Sequence, residues 1–319
     1  MPAEAHPVRG YLAIAGAAFC WGVAATLGKA VFNGRLIGGA AASIHPLILA
    51  QTRTTFSFLV LCPLIFLVRG RNALSMPRAD VLRCFVLGVA GVAASNYLYY
   101  LAIEKTTVAT AIIMQYTAPV LVLLYMVARR LQRATMQRVL GVAAALAGVV
   151  LAIGLVGRGH IKLNPAGVLI AEGAAFSFAF YNVFGHGLVA RFDRWSVLTY
   201  VLLGATLFWL VVNPPWKIAA AHYSGRQWAF LFVFACVSVL APFSLYFTGL
   251  QYLDATRAIV TSCLEPVFAI LFAAMFVAER LTWMQVAGVV LVVAATVIVQ
   301  LPERKGAEPP TDATLAMAE

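Results

Sequence analysis

The chain is a succession of long apolar runs, each near the length of a bilayer-crossing helix, cut by short stretches that carry Arg, Lys, Pro and Gly. Cutting at those stretches predicts ten helical spans, near 11–32, 45–68, 82–103, 107–128, 136–157, 165–189, 196–213, 227–250, 255–277 and 283–301. The first run is too long and too poorly bounded for a cleaved signal peptide. Ala18-Phe19 also lacks the small residue expected before a lipidated cysteine at Cys20, so the run reads as a mature first helix. The stretch 302–319, with Pro309, Pro310 and scattered acids, has no apolar face to bury and is expected to be a disordered tail.

The pattern repeats. Gly16-Ala17-Ala18-Phe19 returns as Gly173-Ala174-Ala175-Phe176. A second register aligns Pro119 with Pro266, Val120 with Val267, Arg133 with Arg280, Thr135 with Thr282, Val139 with Val286 and Gly141 with Gly288. Each copy holds five spans. Because five is odd, the second copy must enter the membrane from the opposite side, which makes an inverted repeat, an architecture of alternating-access transporters. The expected fold is therefore an all-α integral membrane bundle of ten transmembrane helices in two inverted five-helix repeats. Its segments are an N-terminus at 1–10, repeats at 11–157 and 165–301, an outer connection at 158–164 and the tail at 302–319.

Composition sharpens this. The 319 residues are 62% hydrophobic and 11% charged, with a mean hydropathy of +0.90, against about 25% charged for soluble domains. At about 20 apolar residues per span plus a connection, the length is used up by roughly ten spans, which leaves no room for a soluble catalytic domain. The net charge of +11 would suggest nucleic acid in a soluble protein. Here the bases lie in the breaks and report topology instead. On the side of the termini stand fourteen: Arg9, Arg69, Arg71, Arg78, Arg83, Arg129, Arg130, Arg133, Arg138, Arg191, Arg194, Arg257, Arg304 and Lys305. The other side holds eight, namely Lys29, Arg35, Lys105, Arg158, Lys162, Lys217, Arg226 and Arg280. Both termini are accordingly expected in the cytoplasm of a bacterium, with the chain spanning the inner membrane. The five cysteines all fall in apolar runs and read as small hydrophobes.

A charge near the bilayer centre costs about 2.5–3.5 kcal/mol, so each must face protein or water. Three residues qualify: Arg53, Glu172 and Glu265. At about 1.5 Å per residue, Glu265 lies near the midplane, beside the Pro266 kink, and Arg53 and Glu172 lie at similar depth from the outer surface. Arg53 and Glu172 are expected to form a buried ion pair. Glu265 suits a substrate amine, a proton, or a packing role against a neighbouring helix. Lys29 and His186, equivalent in the repeat, sit near membrane surfaces and are expected to snorkel.

Around that depth the spans carry a set of aromatic and amide side chains. Asn96, Tyr99 and Tyr100 share one face of the third span, and Phe243, Ser244 and Tyr246 answer from the eighth. Trp21, Met114, Gln115, Tyr181, Asn182 and Ser262 add to them. The expected substrate site is Trp21, Asn96, Tyr99, Gln115, Tyr181, Asn182, Ser244, Tyr246, Ser262 and Glu265. Such a lining stacks on a planar apolar group and bonds a polar end, and it offers too few bases for a phosphorylated sugar.

Several of these residues also resemble a known family. Trp21-Gly22, Lys29, His45-Pro46 and Arg53 are similar to the opening pattern of the ten-helix branch of the drug/metabolite transporter superfamily, built from two EamA-type domains. Pro119, Arg133, Gln137 and Gly141 continue it. Leu264-Glu265-Pro266, Glu279-Arg280, Thr282, Gln285 and Gly288 are their second-half counterparts. The resemblance covers Gly10 to Leu301, with Gln132 departing where the second half has Glu279. It implies an alternating-access carrier that hydrolyses no ATP and exports amino acids or other small metabolites. Within the branch the aromatic-rich profile is most similar to aromatic amino-acid exporters, and a multidrug or cationic-compound exporter of the same fold is the alternative.

Other classes find little support. The histidines are scattered, no H-E-x-x-H helix or Walker A sequence occurs, and no nucleophile is paired with a base, so neither a catalytic residue nor a metal site is expected. No cofactor is called for. A channel would show substrate-independent conductance. The expected partners are a small-molecule substrate and the lipid bilayer, with no nucleic acid. Protons are compatible with the carboxylate at Glu265, and a monomer is compatible with a central site.

Overall fold

The structure is a computed structural model, and it describes residues 7–32, 44–106, 108–153, 164–277 and 282–301. The described residues are helical with turns, and none is in a strand. The helices are α1 Pro7–Phe32, α2 Pro46–Arg69, a continuous α3 made of Arg78–Val86, Leu87–Ala93 and Ala94–Lys105, and a broken α4, Val108–Gln115 and Ala118–Ala128. They continue with α5 Met136–Ala152, α6 Pro165–Arg191, α7 Arg194–Val212 and α8, made of Gly225–Ala235, Cys236–Leu240 and Ala241–Leu250. Last come a broken α9, Ala255–Ser262 and Leu264–Val277, and α10 Trp283–Ile298.

Eight of these are long and apolar enough to cross a membrane. The other two, α5 and α10, are apolar but shorter, at 17 and 16 residues. At 1.5 Å per residue that is about 25 Å, a little under the hydrocarbon thickness of about 30 Å. The fifth span was expected to reach 157, and residues 154–157 lie outside the described residues. At the other end α1 is helical from Pro7, the first described residue, four residues before the expected 11. The connection 158–163, the tail 302–319, Arg35, Glu279, Arg280 and the Lys29 side chain also lie outside the described residues.

Sequence signals set the helix ends. Thr135 accepts the Arg138 amide at 3.4 Å and Thr282 accepts the Gln285 amide at 3.3 Å, so the two threonines aligned by the repeat cap equivalent helices, α5 and α10. The third helix of each half is widened by a π stretch, Leu87–Ala93 in α3 and Cys236–Leu240 in α8.

Small residues let the backbones meet. A Cβ on Gly288 would stand 2.3 Å from the Ala152 nitrogen, one on Gly148 would stand 2.8 Å from the Val292 nitrogen, and one on Gly141 would stand 2.3 Å from Val299 Cγ1. Residue numbers fall on α10 as they rise on α5, so the two helices run antiparallel at close range. Two further pairings mirror each other: α1 packs on α8 and α9, and α6 packs on α3 and α4.

The helix ends of one face are stitched by ion pairs between the first and second halves of the chain. Arg69 meets Asp193 at 3.0 Å, Arg191 meets Asp80 at 3.6 Å and Arg138 meets Asp254 at 3.6 Å. Arg257 also reaches the Val299 carbonyl at 3.1 Å. His186 Nδ1 lies 2.9 Å from the Leu250 carbonyl at the end of α8.

Candidate functional site

Two broken helices position the site. α4 halts at Gln115 and α9 at Ser262, each just before a proline, Pro119 or Pro266. Proline has no N–H to give to the carbonyl four residues back. The carbonyls so deprived belong to Gln115 and Ser262, both expected at the site. The chain recovers through short turns, with the Thr117 amide on the Met114 carbonyl at 3.0 Å and the Cys263 amide on the Val260 carbonyl at 3.1 Å.

The carboxyl of Glu265, one residue into the second half of α9, accepts from the Tyr116 hydroxyl at 3.1 Å, so the two breaks are joined directly. Glu265 is half-buried and Tyr116 buried. Arg53 on α2, Tyr99 on α3 and Tyr181 on α6 lie within Coulomb reach of Glu265.

The ion pair expected between Arg53 and Glu172 is not formed. Arg53 Nη2 donates to the Asn96 side-chain carbonyl, and Asn96 in turn donates to the Val92 carbonyl at 2.7 Å. Glu172 instead meets the Thr117 hydroxyl, at 3.2 and 3.4 Å from its two oxygens. The reason is packing: α6 lies on α3 and α4, whereas α2 packs chiefly on α7 and α8. Equal depth therefore did not bring the two charges together. The Arg53 Nε is buried without a hydrogen-bond partner.

An aromatic cluster closes the other side. Trp21 lies 5.5 Å from Tyr246 and 5.7 Å from Phe243, ring centre to ring centre, and Tyr181 lies 5.6 Å from Tyr246 and 5.8 Å from Phe243. Asn182 donates its amide to the Tyr246 hydroxyl, and its own carbonyl oxygen is buried without a partner. Tyr99 packs edge-on against Tyr100 at 5.6 Å.

Burial divides the expected set. Trp21, Asn96, Tyr99, Gln115, Ser244 and Glu265 are half-buried, as are Arg53 and Glu172. Tyr181, Asn182, Tyr246 and Ser262 are at most 2% exposed and form the packed wall behind them. The serine hydroxyls are committed to their own helices, Ser244 to the Leu240 carbonyl and Ser262 to the Ile259 carbonyl at 2.7 Å. Tyr116 and Thr117 were not expected. Their signal was the proline two or three residues later, since a proline-broken helix turns the side chains just ahead of it out of the regular stripe.

Among the described residues no group of three or more His, Cys, Asp or Glu side chains is placed to hold a metal ion.

The sequence model of the EamA-like transporter family matches residues 8–154 and again residues 165–301. The chain is 24% identical over 276 residues to the uncharacterized inner membrane transporter YicL of Salmonella typhimurium, a match covering 82% of this chain and 90% of YicL. Over 204 residues it is 25% identical to the threonine/homoserine exporter RhtA of Salmonella typhimurium, covering 63% of this chain and 65% of RhtA. A solved crystal structure shares the fold with a TM-score of 0.73 at 20% identity, over 91% of this chain and 95% of that one.

Proposed function

The chain belongs to the EamA-like transporter family, and from that premise we propose that it exports amino acids, aromatic ones included, by alternating access through a central site between two halves of opposite orientation. The observation that carries this reading is a pair of opposite charges left open to a third party. Arg53 and Glu265 form no ion pair with each other, and Gly22, the residue after Trp21 of the aromatic cluster, packs against the Glu265 backbone. A zwitterion answers both charges at once. Its ammonium goes to Glu265 and to the proline-freed carbonyls of Gln115 and Ser262. Its carboxylate goes to the guanidinium, whose Nε has no other bond. Its side chain meets Trp21 and Tyr99, with Tyr181, Phe243 and Tyr246 as the rigid wall behind.

Alternating access requires two halves that exchange conformations. The antiparallel contact of α5 with α10, the mirrored packing of α1 and α6, and the shared threonine caps support a two-fold relation between them. The fourteen-to-eight excess of basic residues supports cytoplasmic termini in a bacterial inner membrane.

Liposomes loaded with a panel of amino acids and cationic dyes, assayed for efflux, test this. Efflux of phenylalanine and tryptophan supports it. Retention of every amino acid with release of dyes would establish the second reading, a cationic-compound exporter, for which the observation is the Glu265 carboxyl beside an aromatic cluster suited to a cation.

A further inference from the structure

Gln132 stands where the repeat places Glu279, and this neutral side chain has its partner in the other half of the chain. Its side-chain oxygen accepts from the Thr256 hydroxyl at 2.7 Å, and both residues are buried, Gln132 at 6% and Thr256 at 0% exposed. The turn that brings Gln132 there is local. Arg130 takes the left-handed conformation at φ 57°, and the Leu131 and Gln132 amides bond back to the Met126 carbonyl at 2.9 and 3.1 Å. A helix end closed in this way normally uses glycine, because a side chain disfavours that conformation.

Helices alternate in direction from α1, so α4 ends and α9 begins on the face of the termini. There the two meet. Val122 and Met126 of α4 pack with Ala179 and Val183 of α6 and with Ala255 and Ile259 of α9, and all six are buried. On the other side of the breaks the packing differs: Val108–Gln115 lies chiefly on α6, and Leu264–Val277 chiefly on α1. The apolar seam between α4, α6 and α9 therefore lies on the terminal side of the breaks, and polar contacts between the two halves of the chain fasten its outer edge. One is the bond from Thr256 to Gln132. The other is made by Asp254, which caps α9 through the Arg257 amide at 3.0 Å and meets the Arg138 guanidinium of α5 at 3.6 Å. A buried amide that loses its partner is left unpaired, so parting this seam costs more than its apolar contacts alone.

We propose that the Gln132–Thr256 and Arg138–Asp254 contacts are the latch of a gate on the face of the termini, and that the site at the breaks opens to that face only when the first segment of α9 parts from α4 and α6 and both contacts break. This rests on the alternating-access reading above. The conformation described here is the latched one, with the terminal face shut.

The test reads the seam without any substrate. Val122 and Val142 are both buried, and each lies six residues from the terminal-side end of its helix, about 9 Å deep, but Val122 lies in the seam and Val142 in the separate contact of α5 with α10. Each is replaced by cysteine in the full chain in liposomes. Alkylation by an impermeant maleimide on both sides of the membrane is followed at the reporter peptide by mass spectrometry. Thr256→Val keeps the side-chain shape and loses the hydroxyl, and Asp254→Asn keeps a capping side chain and loses the ion pair. Both should speed alkylation of Val122→Cys about fivefold, the change one ordinary net hydrogen bond makes in an opening equilibrium, and leave Val142→Cys unchanged. Unchanged rates at Val122→Cys in both variants overturn the latch, and equal acceleration at Val142→Cys overturns it too, as general loosening. Joining Gln132→Cys to Thr256→Cys with a short bis-methanethiosulfonate should halt counterflow of L-phenylalanine, and reductant should restore it. Counterflow that continues through a complete cross-link overturns the gate. No counterflow of phenylalanine or any other amino acid by folded wild type removes the export reading, and the alkylation rates still decide the latch.

Discussion

Gly288→Ala tests the contact between α5 and α10 most directly. The added methyl would stand 2.3 Å from the Ala152 nitrogen, 2.7 Å from the Gly148 oxygen and 2.8 Å from the Ala152 Cα. All three are backbone atoms, so no rotamer change relieves the clash, and the helices must separate along their contact. Overpacking of this kind costs about 1–3 kcal/mol. Part of the partner surface is then lost too, since Gly148 sits against Val292 and Gly141 against Val299 in the same seam. Gly225 is the internal control: it stands at a helix start with nothing within 4 Å of its Cβ position. Melting of the detergent-purified protein, followed by size exclusion after a heat step, should fall by several degrees for Gly288→Ala and stay unchanged for Gly225→Ala. Gly148→Ala combined with Gly288→Ala should cost less than the two single losses added, because the first separation makes room for the second methyl. An unchanged midpoint for Gly288→Ala would refute the close seam.

Three further outcomes are expected. A double-mutant cycle on Arg53→Ala and Glu172→Ala, read by thermal stability, should show additive losses, whereas Arg53→Ala with Asn96→Ala should couple by about 1.5–3 kcal/mol, the range for a hydrogen bond to a charged group. Tyr99→Ala should weaken efflux of phenylalanine or tryptophan more than that of threonine, by about 0.5–1.5 kcal/mol of stacking, whereas Arg53→Ala, which removes the partner of the shared carboxylate, should weaken both alike; equal effects of the tyrosine change on all substrates would make Tyr99 a packing residue. A cysteine placed after Pro310 should resist impermeant thiol reagents in intact cells, and labelling there would reverse the proposed topology.

Much of this was legible along the chain, because a bilayer imposes one rule on every span. Backbone groups must bond within the segment, so an apolar run of about 20 residues is a helix wherever it occurs, and the helices lie close to the predicted spans. The repeat was legible for a similar local reason: Thr135 and Thr282 cap helices through their own following turns, and Pro119 and Pro266 break helices by lacking an N–H. The three charges within the spans could be found from their position in the apolar runs alone, since hydrocarbon makes each one costly.

Their partners could not. Depth is one coordinate, and pairing depends on the other two, which packing between helices sets. Arg53 and Glu172 share a depth yet face different neighbours, because α6 lies on α4 and α2 does not. Rotation about each helix axis decided the rest. It turned Tyr181, Asn182, Tyr246 and Ser262 fully into the packing, and left Trp21, Tyr99 and Glu265 half-buried. Tyr116 came to Glu265 only because two proline breaks, far apart in sequence, meet in the folded bundle. The sequence determined where helices begin, break and end, since those are local hydrogen-bond matters. Which side chains share a site was decided only when the helices packed, by the glycine seams that set how closely and at what rotation each one lies against the next.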